Sequence, residues 1–223
     1  MMLSDLSKNS GQILKKSFML TIDTVLDIPE ALARCVAFHG HICPGLVYGY
    51  MVAKEAMKLM NLGRASDEEI VAICENNSCA VDAFQVLLGT TVGKGNLIIR
   101  DFGKNAYTIL SRSGQKAYRF TRKDRYEYQG EAKGTFDRLE AGIAAGIASE
   151  NDRRHMKRLK MEDLLMRPFQ GVFATTEVPF DEPHYAPLER SEPCAICGDM
   201  TMATRMVKLT GGRRACIPCS QKG

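Results

Sequence analysis

The chain has 223 residues, of which 45% are hydrophobic, so it can bury one sizeable core and carry a short appended module. No apolar run approaches the roughly 20 residues that a membrane-spanning helix needs, which excludes a helical membrane protein. The formal net charge of +4 is too small to imply a polyanionic partner by itself.

The first 28 residues are a weakly patterned lead-in. Within them, the stretch 13–26 contains Lys15, Lys16 and Asp23, which do not fit the apolar segment of a secretory signal peptide. We therefore expect a cytoplasmic protein without a membrane partner. In that reducing compartment the eight cysteines are expected to serve as metal ligands or redox thiols rather than as disulfides.

Five segments have the apolar spacing of helices, and they are residues 29–38, 44–60, 79–88, 135–147 and 151–166. The second is the best defined. Pro44 suits the first helical position, where no N–H is needed, and Asn61 and Gly63 stop the helix.

Strand patterns alternate with these helices. Residues 69–75 contain a β-rich apolar run that predicts a buried strand. The runs 97–99, 107–110 and 116–120 are predicted as successive antiparallel strands, with Ser113 and Gly114 in one turn, and 171–176 as one more strand. The elements predict an α+β fold, in which an antiparallel sheet with packed helices is followed by a small zinc-binding domain.

Basic residues are concentrated in two stretches, six of them in 112–125 and five, with His155, in 153–160. Solvated faces are the simpler interpretation of both stretches. The alternative is a surface for nucleic acid or an acidic protein.

The end of the chain carries the most specific motif. Prolines recur from residue 178 to 194, which is typical of a semi-rigid linker. Two C-x-x-C pairs follow, in the spacing of a four-cysteine zinc site, and their sulfurs belong to Cys194, Cys197, Cys216 and Cys219. Gly198 follows the first pair, where a knuckle turn requires a positive φ. These features predict a core domain over 1–180 and a zinc-finger domain over 188–223, whose folding energy comes mostly from the metal.

A second constellation lies upstream, in residues 38–45 and 74–82. His39 and His41 are two positions apart, so both can point the same way in a loop. Cys43 precedes Pro44 at a helix start, where the dipole favours a thiolate and is expected to lower its pKa. Cys79 holds a similar position in the next helix, and the four side chains together form a candidate metal cage.

Other interpretations of these residues stay open. The histidines can be ordinary hydrogen-bonded loop residues, and Cys43 and Cys79 can form a redox pair. Cys35 and Cys74 lie in apolar segments and are interpreted as inert core cysteines.

Four sequence blocks resemble the FmdE family, which takes its name from formylmethanofuran dehydrogenase, and they occur in the family's order. They read FHGHICPG at 38–45, CAVDAFQ at 79–85, GTTVGKGNL at 89–97 and DFGK at 101–104. The four-cysteine module is similar to the treble-clef or zinc-ribbon tail that some members carry. The resemblance implies an α+β core, a metal-binding role for the His/Cys motif and homodimerisation.

One position departs from the family's pattern. Many members have a cysteine after the glycine of the third block, and here that residue is Thr90. The departure favours metal binding over disulfide exchange.

The resemblance implies an accessory role and no demonstrable catalysis by this chain. The family's enzyme is a multi-subunit molybdenum or tungsten oxidoreductase, whose pterin and iron–sulfur centres belong to other polypeptides of the complex. No ferredoxin-type cysteine run occurs in this chain.

Two hypotheses follow. In the first, the chain is a metal-binding accessory protein with zinc in the tail and a second divalent metal, zinc, iron or nickel, in the core. Asp82 and Gln85, three and six residues beyond Cys79, are then candidates to support the metal ligands. Lys94, Asn96 and Lys104 are candidates to line an anion- or cofactor-binding pocket, and the alternative is a solvated glycine-rich loop. In the second, the zinc module and the basic stretch 153–160 bind nucleic acid or a protein partner in a regulatory role.

Overall fold

The computed structural model describes residues 28–221, so the lead-in and the segment 13–26 lie outside the described residues. The chain divides into two compact units, the first ending at Asp181 and the second beginning at Glu182. The α+β fold class predicted from the sequence is confirmed, because a five-stranded sheet packs with helices in the first unit.

The first unit contains six helices and five strands among the described residues. The helices are α1 (Glu30–His39), α2 (Pro44–Met60), α3 (Ala80–Leu87), α4 (Lys133–Ala144), α5 (Glu150–Met166) and α6 (Phe169–Val172). The strands are β1 (Ile70–Cys74), β2 (Leu97–Ile99), β3 (Ala106–Ser111), β4 (Lys116–Arg122) and β5 (Phe173–Val178).

The sheet has the order β2-β1-β3-β4-β5, and its three pairs from β1 to β5 are antiparallel. The prediction that 97–99 is antiparallel to its neighbour is wrong, because β2 pairs parallel to β1 at the edge of the sheet. Helix α3 lies between β1 and β2 in the chain, and this crossover returns β2 in the direction of β1. The sequence patterns also missed the short helix α6 before β5.

The main core lies between one face of the sheet and helices α1, α2 and α3. Phe84 of α3 is fully buried and meets the Tyr107 ring of β3 edge to face, with the centroids 5.1 Å apart. Cys35 and Cys74 are buried in this core, as predicted, and burial raises the pKa of both thiols, to about 11 and about 12.

Helices α2 and α3 approach each other closely at a glycine. A Cβ on Gly49 would lie 2.2 Å from the carbonyl oxygen of Ala80, closer than real atoms approach. The absence of a side chain at Gly49 therefore sets how α3 lies against α2.

The second unit consists of short elements. It contains β6 (Ser191–Pro193), β7 (Met200–Met202), a 3-10 turn (Ala203–Arg205), β8 (Met206–Lys208), β9 (Arg214–Cys216) and α7 (Ile217–Ser220). Strands β6 and β7 form one antiparallel hairpin, and β8 and β9 form another. Strand β6 falls within the segment that was predicted to be a linker.

Candidate metal centres

The first centre is built where α1 ends and α2 begins. Gly40 has φ +91°, and this left-handed conformation ends α1 at His39. Cys43 is the N-cap of α2, with Pro44 at the next position, and its sulfur accepts the N–H of Leu46 at 3.4 Å. One helix end, one loop and one helix start thus place His39, His41 and Cys43 within a few residues.

These three side chains converge. One ligand atom of each lies within 4.8 Å of the ligand atoms of the other two. The imidazole rings of His39 and His41 have centroids 4.5 Å apart, and His39 Nε2 lies 3.8 Å from Cys43 Sγ. Nitrogen and sulfur ligands of one tetrahedral zinc would be about 3.5 Å apart, so small side-chain shifts would complete such a centre.

A carboxylate fixes the orientation of His39. Its Nδ1 lies 2.7 Å from Asp82 Oδ2, and Gln85 Nε2 donates to the other oxygen of Asp82 at 2.9 Å. With the proton on Nδ1, the Nε2 lone pair is directed at Cys43. A histidine held by a carboxylate is the usual arrangement behind a metal ligand. The structure therefore brings Asp82 and Gln85, the two candidates for this supporting role, next to the histidines.

Cys79 lies beside Cys43 but outside this convergent group. A Cβ on Gly45 would lie 3.7 Å from Cys79 Sγ and 3.9 Å from Cys43 Sγ, which places both sulfurs around the same glycine. Cys79 is the N-cap of α3, and its side chain makes no capping hydrogen bond.

The predicted lowering of the Cys43 pKa is wrong. Burial raises the pKa of this thiol, and the neighbouring Cys79 raises it further, against the lowering effect of the Leu46 N–H. At this helix start, desolvation outweighs the hydrogen bonds that the backbone N–H groups of Leu46 and Gly45 offer to the thiolate.

His41 is exposed, and its surroundings favour the neutral form of its ring. Burial, then the charges of His39 and Lys157, lower the pKa of His41. The neutral imidazole is the form that binds metals. Lys157 belongs to α5 and to the basic stretch interpreted as a solvated face, so nothing in the sequence pattern indicated that it lies near the site.

The pocket candidates lie elsewhere. Asn96 is fully buried, and its amide binds Thr91 N–H and the carbonyls of Asp67 and Ile70. Lys94 Nζ donates to the carbonyl of Asp67 at 2.8 Å. Their side chains thus bind backbone groups around the start of β1 and in their own loop, not the histidines.

Thr90 and Lys104 also lie apart from the histidines. Thr90, at the position where the family's pattern has cysteine, is completely buried, and its hydroxyl has no hydrogen-bond partner among the described residues. Lys104 is exposed and lines a separate cavity.

The second centre is the four-cysteine cluster of the second unit. Cys194, Cys197, Cys216 and Cys219 have sulfurs within 4.8 Å of one another. Cys197 Sγ and Cys216 Sγ are 4.0 Å apart, near the roughly 3.8 Å that two thiolates on one tetrahedral zinc would have. Gly198 has φ +79°, which confirms the predicted knuckle turn after the first pair.

Backbone N–H groups converge on one of these sulfurs. The N–H groups of Cys197, Cys216 and Ile196 lower the pKa of Cys194 to about 6. The Cys216 side chain, in contrast, raises the pKa of Cys219. Thiolates this close repel one another, and a divalent cation among them would remove that conflict.

An arginine joins the two hairpins of the module. Arg214 of β9 pairs with Glu192 of β6 through hydrogen bonds of 2.7 and 2.8 Å, and donates to the Ala203 carbonyl at 2.6 Å. These hydrogen bonds lie close to the cysteines in the chain, since Arg214 is two residues before Cys216.

The chain is similar to known proteins over most of its length. Residues 38–174 match the family model described as "FmdE, Molybdenum formylmethanofuran dehydrogenase operon". The chain is 33% identical, over 194 residues, to a protein of Archaeoglobus fulgidus named "Probable S-adenosyl-L-methionine-binding protein". That match covers 80% of this chain and 50% of the relative, so the chain spans about half the length of the curated relative it matches.

A solved structure shares the fold. It is that of an FmdE-like protein of the tungsten formylmethanofuran dehydrogenase type from Syntrophus aciditrophicus, with a TM-score of 0.52 and 21% identity. The superposition covers 91% of this chain and 98% of the other. Within residues 28–221, no helix is long and apolar enough to span a bilayer.

Proposed function

Because this chain belongs to the FmdE family, we propose that it is a metal-binding accessory protein with two metal centres, one in each unit. The tail centre would be a closed structural zinc site with four thiolates, the ligand set that zinc favours. The core centre would hold a second divalent metal on His39, His41 and Cys43.

One observation carries the core centre. Asp82 holds the Nδ1 side of His39 at 2.7 Å while the Nε2 side faces Cys43 at 3.8 Å. An ordinary loop histidine does not need a carboxylate behind it and a thiol in front of it, whereas a metal ligand uses both. Zinc, iron and nickel all suit two imidazoles and a thiolate, so the proposal extends to these metals.

Cys79 is the proposed fourth ligand or the neighbour of an open fourth position. The sulfurs of Cys79 and Cys43 both lie close to Gly45. No capping hydrogen bond restrains the Cys79 side chain. Four protein ligands would make the core centre structural. Three would leave a position for water or substrate, and Lewis-acid chemistry would then be open to the metal.

The proposed setting is a cytoplasmic homodimer that associates with a molybdenum or tungsten formylmethanofuran dehydrogenase-type complex. Family membership supports this association, since the family is described by the operon of that enzyme. All eight cysteines are free thiols, available as metal ligands or redox groups.

Elemental analysis tests the proposal. The protein is purified without oxygen or added metal, beside Cys43→Ser and a control, Cys35→Ala, which removes a buried cysteine outside both clusters. We expect two metal equivalents per chain in the parent and the control, and one in Cys43→Ser. One equivalent in all three proteins would refute the core centre.

A thiol redox function is the second candidate, because Cys43 and Cys79 are neighbours. It requires an accessible thiolate, whereas burial raises the pKa of Cys43. Alkylation after chelation separates the two functions. Modification of either cysteine faster than that of a free thiol would support redox chemistry, and slower modification would support the metal centre.

A further inference from the structure

A basic cavity lies at one end of the sheet, where β3 begins and β4 ends. Its volume is about 370 Å³. The lining comes from three consecutive residues that lead into β3 and from five at and just beyond the end of β4, and these are Lys104, Asn105, Ala106, Arg119, Thr121, Arg122, Lys123 and Asp124. Four of the eight are cationic and one is acidic, so the cavity carries excess positive charge.

Strand pairing explains why these residues meet. Ala106 is the register partner of Thr121, and Thr108 is that of Arg119. Positions 119 and 121 alternate with Phe120, whose ring is fully buried in the main core. Arg119 and Thr121 therefore stand on the sheet face opposite that core.

The cations differ in how far their charge is already neutralised. Arg119 is bound in a fork by Glu75, with hydrogen bonds of 2.7 and 3.0 Å. Lys123 Nζ donates to the carbonyl of Gln170, a neutral group, at 2.7 Å. Among the described residues, neither Lys104 nor Arg122 forms an ion pair with a carboxylate within 4.0 Å.

Arg122 shares a face of β4 with the buried Phe120, so its side chain is directed away from Arg119 and Thr121. Its guanidinium is 5.5 Å from the ring centre of Tyr48. Burial, and then the charge of Arg122, lower the pKa of Lys160, so these two cations repel each other. Lys160 does not line the cavity, so the Arg122 charge is directed toward groups outside it.

We propose that this cavity binds a small phosphorylated anion, with Lys104 and Lys123 contacting its phosphoryl oxygens. Arg119, fixed by Glu75, presents its remaining N–H groups from the wall. Two ammonium groups and the remaining N–H groups of the Arg119 guanidinium suit phosphoryl oxygens, which accept several charge-assisted hydrogen bonds at once. The cavity exceeds a single phosphate group in size, so an organic phosphate ester fits it.

The shape favours a small ligand over a nucleic acid. The cations surround one concavity at the end of two strands, whereas a nucleic-acid backbone requires a stripe of charge along a surface. The cavity residues also belong to neither metal cluster, so the proposal stands independently of the core metal.

Isothermal titration of the full-length protein with inorganic pyrophosphate at low salt tests the proposal. We expect saturable binding that weakens at least about tenfold in Lys104→Gln/Lys123→Gln, because each lost charge-assisted bond is worth about that factor. Both lysines are exposed, and circular dichroism would check that the fold is kept.

The matched control is Lys58→Gln/Lys116→Gln, which removes two exposed charges that do not line the cavity. Unchanged binding in this control is expected. Absence of saturable binding, or an equal loss in the control, would overturn the proposal. It would also be overturned if a single-stranded oligonucleotide bound through the same lysines while pyrophosphate did not, which would assign the surface to nucleic acid.

Discussion

The two candidate metal centres, one in each unit, differ in what surrounds them. The core cluster lies where three helices meet, above a core that contains fully buried residues such as Leu46, Phe84 and Tyr107. In the tail unit, only Cys194 and Ala215 are buried among the described residues. The fold therefore positions the candidate ligands in the first unit, whereas in the second we expect the metal to hold the fold.

This difference has a consequence for what each cluster can do. A site positioned by its fold can leave a coordination position open without loss of structure. A site that supplies the folding energy needs all four ligands. Chemistry is therefore expected in the core unit, and a structural role in the tail unit.

The largest expected effect is that of Cys197→Ser. A structural zinc supplies binding energy on the order of 10 kcal/mol, which is most of the energy available to fold so small a unit, and loss of one of four thiolates removes a large part of it. Two-dimensional NMR of the backbone amides is expected to show collapse of the signals from residues 191–220 and unchanged signals from the first unit. If the amide signals of the tail unit stayed well dispersed, the metal would not be what holds that unit folded.

The next effect is that of Gly49→Ala, which probes how the fold positions the core ligands. The new Cβ would meet the Ala80 carbonyl oxygen, so α2 and α3 must separate. We expect a loss of about 3 kcal/mol in stability in denaturant unfolding, with weaker binding of the core metal. Gly134→Ala in α4 is the control, since its Cβ meets nothing within 4 Å and should be neutral or slightly stabilising.

A smaller effect is expected from Asp82→Asn, which keeps the shape of the side chain but removes the charge behind His39. Core-metal affinity should fall about 10- to 100-fold, measured by competition with a chelator, while the tail metal is unaffected. Asp137→Asn, which alters an exposed ion pair with Lys133, is the matched control. An equal fall in both variants would remove Asp82 from the centre.

The smallest effect concerns an ion pair apart from both clusters. Hydrogen bonds from Arg119 hold the pKa of Glu75 below its usual range. A depressed carboxyl pKa contributes stability above the unfolded-state pKa and loses it as the pH falls through the folded-state value. Glu75→Gln should therefore cost at most about 1 kcal/mol at neutral pH and nothing in acid.

Thermal unfolding across acidic pH checks this prediction. Metal content should stay at the parent value, which separates the stability of the sheet from that of the metal centres. A cost that persists unchanged in acid would mean that packing, not charge, is the role of Glu75.

Local sequence patterns predicted much of the fold. Both ends of α2 were predicted correctly, from Pro44 at its first position and Asn61 just beyond its last. Helix ends can be read from sequence because they depend on a few local residues that begin or cap the helix. The family resemblance over 38–104 is confirmed by the match to residues 38–174. The parallel pairing of β2 was missed, because a three-residue strand carries no information about its partner.

Prediction of the site was uneven for a similar reason. His39, His41 and Cys43 are close in sequence, so a single turn at Gly40 suffices to bring them together. Asp82 was named only as a residue beyond Cys79, and its bond to His39, 43 positions away in the chain, depends on how α3 packs against α1. The assignment of metal ligands itself stays a prediction.

The sequence by itself determined what local chemistry can specify: the helix ends, the knuckle turn at Gly198 and the four cysteines in their spacing. Only the tertiary structure decided that burial would raise the pKa of Cys43 and that Asp82 would orient His39. It also decided that basic residues from β3 and β4 would surround one cavity. Desolvation and long-range contact depend on the packing of distant segments, and no single stretch of sequence contains that information.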